Sequence, residues 1–126
     1  MTDILLATDA DWRVDDVEAA LGGEHLIHRV RAGIDVVPAI QEVDPDLVLL
    51  DLQIGNMGGV AACLAVKQRV IMGDLDDRPV LLLLDREVDT FLAKEADADG
   101  WLVKPLNAFG TLRAVDAALA GDAVTP

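Results

Sequence analysis

Three charged residues of this chain stand where a neutral turn residue would do if folding were all that mattered. Asp51 ends the apolar run Leu47-Val48-Leu49-Leu50, and a glycine-rich stretch follows it. Asp9 comes just after Ile4-Leu5-Leu6-Ala7, and Lys104 just after Trp101-Leu102-Val103. Carboxylates that converge repel one another, and a divalent cation relieves the repulsion. Mg2+ suits best, because it takes oxygen ligands, needs few from the protein and keeps several waters. Asp9, Asp51 and a backbone carbonyl from the loop after Asp51 would supply such ligands. A carboxylate held there is also a nucleophile towards a phosphoryl group. The metal and a lysine ammonium would neutralise the charge on the transferred oxygens. Each residue also has a plainer explanation. Aspartate is common at turns, and Lys104 could simply be the ion-pair partner of Asp51.

The elements around these residues decide whether they meet. Short apolar runs alternate with amphipathic ones. Ile4–Ala7 opens as a strand; Val14, Val17 and Leu21 recur at helical spacing until Gly22-Gly23. His25–Val30 is a weaker strand, and Asp35–Val43 a second helix, with Pro38 tolerable only in its first turn. Leu47–Leu50 and Val80–Leu84 are continuous apolar runs, as strands covered on both faces require. Helices are expected over Val60–Ile71, Val88–Ala96 and from Ala108 to Leu119, the last with Asn107 as N-cap. Trp101–Val103 is a short last strand. Alternating strands and helices imply a parallel sheet with helices on both faces. The small version is the flavodoxin-like (βα)5 doubly wound α/β fold, strand order 2-1-3-4-5. Ligands in such folds bind beyond the carboxyl ends of the strands, where the order reverses. Asp9 and Asp51 should then face each other at that point, with Lys104 on the same edge and Asp11 directed elsewhere.

The whole chain fits this picture. Its 126 residues make one domain, and 52% apolar residues are enough for a core. A formal charge of −13 disfavours a nucleic-acid partner. No apolar stretch is long enough to insert in a membrane, and Met1-Thr2-Asp3 lacks a basic secretory start, so a cytoplasmic location is expected. Cys63 is alone and is expected in the core. His25 and His28 fall on opposite faces of their strand and should not share a metal. Trp12 is expected at the site rim or the core edge. Gly58-Gly59 lacks the glycine spacing and Lys-Ser/Thr pair of a phosphate-cradling loop.

Four stretches together resemble the receiver domain of bacterial two-component response regulators: ILLATDAD, PDLVLLDLQIGNMGG, RPVLLLLD and ADGWLVKPL. The resemblance covers nearly the whole chain. It implies a CheY-like receiver over residues 1–121 with a short flexible tail, 122–126. Asp51 would accept a phosphoryl group from a histidine kinase or another phosphodonor. Asp9 and Asp51 would ligate Mg2+, with Gln53 lending its backbone carbonyl. Lys104 would contact the phosphate, and Lys104-Pro105 would be a cis peptide. Leu84 and Trp101 occupy the positions where receivers place their switch pair.

The sequence departs from the family at several of these places. Thr8 stands where the first of two adjacent acids is expected, and Leu84 where a Ser or Thr donates a hydroxyl to the phosphate. Asp85 replaces a small residue and adds negative charge near the pocket, which raises the cost of attaching a phosphoryl group. Gly55 replaces a frequent loop proline, and the stretch between strands 4 and 5 is shorter than usual. The metal and nucleophile positions survive; the hydroxyl relay does not, and Trp101 is then expected to pack. The primary expectation is an atypical stand-alone receiver in a phosphorelay, acting by contact with an effector protein and turning over no separate substrate. The alternative is a degenerate receiver that binds its partner without phosphorylation. A flavodoxin-like ligand binder or enzyme ranks below both, because the glycine-rich phosphate loops are absent.

Overall fold

The structure is a computed structural model that describes residues 2–54 and 58–122. The expectations for Gly55 and for tail residues 123–126 lie outside the described residues. Five strands form one parallel sheet: β1 (Thr2–Ala7), β2 (His25–Val30), β3 (Leu47–Asp51), β4 (Val80–Leu84) and β5 (Gly100–Val103). Their spatial order is β2-β1-β3-β4-β5, as the alternation of elements predicts. The helices are α1 (Asp11–Leu21), α2 (Val36–Val43), α3 (Gly59–Ile71), α4 (Thr90–Glu95) and α5 (Ala108–Leu119).

The unbroken apolar runs follow from burial on both faces of the sheet. Leu5, Ala7, Val48, Leu50, Leu82 and Leu84 face one layer, packed with Ile40 of α2, Val66 of α3 and Ala93 of α4. Ile4, Leu6, Leu47, Leu49, Leu81 and Leu83 face the other, with Val17 and Leu21 of α1 and Val115 of α5. The period-2 geometry of a strand thus sends alternate leucines into two cores. Cys63 is in the first of them, and desolvation pushes its thiol up to about 11.

Two helix starts differ from the sequence expectation. The second and fourth helices each begin with a 3-10 turn, Gly33–Asp35 and Glu87–Asp89, so α2 and α4 start later than periodicity suggests. At the second of these, the Asp89 carboxylate accepts a hydrogen bond from the Arg86 backbone N–H at 3.0 Å, which fixes the tight turn. Pro38 lies in the first turn of α2, where its missing N–H is tolerated. Trp12 stands 68% exposed in the first turn of α1 and takes no part in the core. The expected cap of α5 is present, with Asn107 Oδ1 accepting from the Gly110 N–H at 2.9 Å. His28 pairs with Asp3 at 3.0 Å, while His25 is buried on the opposite face of β2.

Candidate functional site

Strand register determines which side chains meet at the carboxyl edge of the sheet. Ala7 pairs with Leu50, so the next residues, Thr8 and Asp51, stand side by side. Asp51 pairs with Leu83, and Leu84 with Val103, which brings the loop beginning at Lys104 to the same edge. Asp51 is 2% exposed, and such a buried carboxylate must be paired and hydrogen-bonded.

Its partners come from three separate parts of the chain. Lys104 Nζ donates to Asp51 Oδ1 and, at 2.7 Å, to Asp85 Oδ1. The Gln53 backbone N–H also reaches Asp51 Oδ1, at 3.2 Å. The Thr8 hydroxyl donates to Asp51 Oδ2 at 2.8 Å. A carboxylate offers about four lone-pair positions. Among the described residues three hydrogen bonds reach Asp51, which leaves one position, on Oδ2, for an incoming electrophile or cation.

The second layer of the site orders the first. Thr8 is fully buried, and its oxygen also accepts from the Ala10 N–H at 3.2 Å, so the hydroxyl is held in one orientation. Arg29 Nε donates to the Thr8 carbonyl at 2.8 Å, and Arg29 Nη1 to Asp11 Oδ1 at 2.9 Å. The Arg29 hydrogen bond, joined by the charge of Arg31, holds the Asp11 carboxyl below its usual value. Gln53 Nε2 donates to Asp85 Oδ2 at 3.0 Å. Burial pushes the Asp85 carboxyl up, but hydrogen bonds from Lys104 and Gln53 and the Lys104 charge outweigh it, so its net shift is downward.

The residues singled out from sequence are distributed as follows. Asp51, Lys104 and Gln53 meet directly. Asp9 lies on the same edge, one residue beyond Thr8, and its side chain is exposed. Lys104-Pro105 is a cis peptide. Leu84 is fully buried and belongs to the core layer that also receives Trp101. Trp101 is half-buried against that layer, with Lys94 Nζ 6.0 Å from its ring centroid, at the outer limit of a cation–π contact.

Thr8 and Asp85 carry more of the site than the sequence suggests. Thr8 reads as the loss of an acid, yet it is a donor to the central carboxylate. Asp85 reads as added repulsion, yet it shares the Lys104 ammonium with Asp51. Thr8 is placed by the pairing of Ala7 with Leu50, which the sequence does not record. No sequence signal reveals that one lysine bridges two carboxylates.

The donor set suits Mg2+ in kind: the Asp9 and Asp51 carboxylates and the Gln53 carbonyl are all hard oxygens. Among the described residues one lone-pair position on Asp51 has no partner, and the exposed Asp9 carboxylate makes no hydrogen bond or ion pair, which leaves the set available.

No protein-family model matches the chain. Its structural neighbours are response regulator receiver domains. The signal receiver domain of a signal transduction histidine kinase from Syntrophus aciditrophicus is 26% identical, with a TM-score of 0.84 over 96% of this chain and 92% of that one. A candidate response regulator from Chloroflexus aurantiacus J-10-fl is 24% identical, with a TM-score of 0.85 over 94% and 98%. The chemotaxis protein CheY4 of Vibrio cholerae is 21% identical, with a TM-score of 0.81 over 94% and 98%. The chain has the CheY-like receiver fold over most of its length. Among the described residues, no helix is long and apolar enough to cross a membrane.

Proposed function

We propose that this receiver-fold chain accepts a phosphoryl group on Asp51 in two-component signalling and acts on an effector through protein contact, in the cytoplasm. The observation that carries this reading is the state of the Asp51 carboxylate. It is buried at the sheet edge, pinned by Lys104, Gln53 and Thr8, and among the described residues has one lone-pair position left on Oδ2.

In the proposed step, Asp51 Oδ2 attacks phosphorus while the bond from phosphorus to the donor breaks. The donor nitrogen of a phosphohistidine, or the oxygen of an acyl phosphate, leaves with the electron pair. Lys104 is already against Asp51, so its ammonium meets the charge on the transferred oxygens without a costly reorganisation. Asp9, Asp51 and the Gln53 carbonyl would hold Mg2+. When bound, the ion supplies further neutralisation of the phosphoryl oxygens. The chain turns over no separate substrate.

Leu84 supports a second reading. It is fully buried and offers no hydroxyl to a phosphoryl group, so a modified Asp51 has no relay through this position. A receiver of this kind could bind its partner whether or not Asp51 is modified.

Incubation with an acyl phosphate and Mg2+, followed by intact-mass measurement, separates the two. The first reading expects an adduct of one phosphoryl group that is lost in Asp51→Asn and suppressed by a chelator. An unmodified chain that also fails to bind Mg2+ overturns it in favour of the second.

A further inference from the structure

The end of the sheet opposite Asp51 carries a cluster that the phosphoryl site does not use. Glu24 closes the turn between α1 and β2, His25 begins β2, and Asp116 projects from α5. One ligand-type atom from each of the three lies within 4.8 Å of the other two. The carboxylates are exposed, whereas the His25 side chain is only 7% exposed.

The hydrogen bonding of His25 is incomplete in an informative way. Thr2 is its neighbour across the β1–β2 ladder, and the Thr2 hydroxyl meets Nδ1. The other ring nitrogen, Nε2, is buried and has no hydrogen-bond partner among the described residues. Its nearest carboxylate oxygen among the described residues is Asp116 Oδ1 at 3.5 Å. That is beyond the usual N–H···O range of about 2.7–3.2 Å. Two ligands bound at about 2.0–2.1 Å to one tetrahedral ion stand about 3.3–3.4 Å apart. The separation fits a shared ion better than a direct hydrogen bond.

We propose that Glu24, His25 and Asp116 form a binding site for a divalent transition-metal ion of the zinc class. Imidazole nitrogen suits such an ion and disfavours Mg2+ and Ca2+, which select all-oxygen sets. Two carboxylates with a neutral imidazole match the ion's double charge. If Nδ1–H donates to the Thr2 hydroxyl, Nε2 presents its lone pair to the metal, the orienting arrangement common around metal-bound histidine. Three protein ligands leave the fourth position to water. The bound ion would tie the α1–β2 turn to α5. It stands at the opposite end of the strands from Asp51, so it is independent of phosphoryl acceptance.

The test is a Zn2+ titration of the full chelator-stripped chain, in excess Mg2+ so that all-oxygen sites are filled. It is read by calorimetry and by the imidazole resonances of the two histidines. The expected result is one Zn2+ per chain, with the His25 ring signals shifted and those of His28 unmoved. Asp116→Asn, at an exposed position that should not disturb folding, is expected to weaken binding more than about tenfold. His28→Gln is expected to leave it unchanged. Equal Zn2+ affinity in wild type and Asp116→Asn, or His25 signals that do not respond to Zn2+, overturns the proposal.

Discussion

Replacing Thr8 by valine tests the idea that a buried hydroxyl, in the place of an acid, holds the central carboxylate. Valine keeps the shape and removes the donor. The hydrogen bond lost is the 2.8 Å contact to Asp51 Oδ2, in a fully buried pair. Hydrogen bonds to charged groups contribute about 1.5–3 kcal/mol. The Ala10 N–H also loses its acceptor, but it is only partly buried and water can replace the contact. The net cost is therefore about 2 kcal/mol. With a urea slope of about 2 kcal/mol per molar, the unfolding midpoint falls by about 1 M. Repeating the substitution in an Asp51→Asn background makes the lost hydrogen bond a neutral one, worth about 1 kcal/mol. The double-mutant cycle should thus show a coupling of about 1 kcal/mol between positions 8 and 51. A midpoint that hardly moves, or an equal cost in both backgrounds, would refute the role given to Thr8.

Two more outcomes are expected from the same edge. In Gly59→Ala the new Cβ would overlap the Asp51 carbonyl oxygen and lie 2.9 Å from Leu52 Cα, both backbone atoms that cannot turn aside. The end of β3 or the start of α3 must shift, at about 1–3 kcal/mol by urea unfolding; wild-type stability would show that the close approach is dispensable. Asp85→Asn should flatten the acid side of the stability profile. The Asp85 carboxyl is held below its ordinary value in the fold, so it contributes stability above that value and loses it as pH falls through the folded pKa. The gap in urea midpoint between wild type and Asp85→Asn should therefore be largest near neutrality and close below about pH 4; a gap that widens in acid contradicts the assignment.

The sequence alone determined the sheet, its parallel sense and its strand order. Leu47–Leu50 and Val80–Leu84 are apolar at every position, and only a strand buried on both faces requires that. Strand ends also marked Asp51, after Leu47–Leu50, and Lys104, after Trp101–Val103, because a strand that stops at a charged residue brings it to the sheet edge. The end of α1 and the extent of α5 were legible from helical periodicity, Gly22-Gly23 and the Asn107 cap. The 3-10 starts before α2 and α4 were not, because they rest on local hydrogen bonds such as Asp89 to Arg86 that carry no period.

Tertiary structure alone decided which neighbours Asp51 acquired. Pairing of Ala7 with Leu50 set Thr8, not Asp9, beside Asp51, and a slip of one residue would have reversed that choice. The sharing of Lys104 by Asp51 and Asp85 depends on where the loop after β5 crosses the end of β4, residues distant in the chain. The same holds at the far edge, where α5 carries Asp116 to within 3.5 Å of a histidine that begins β2. Periodicity along a chain records which face of an element is buried. It does not record which side chains from other elements arrive there, and hydrogen bonds between such partners depend on separations of a few tenths of an ångström.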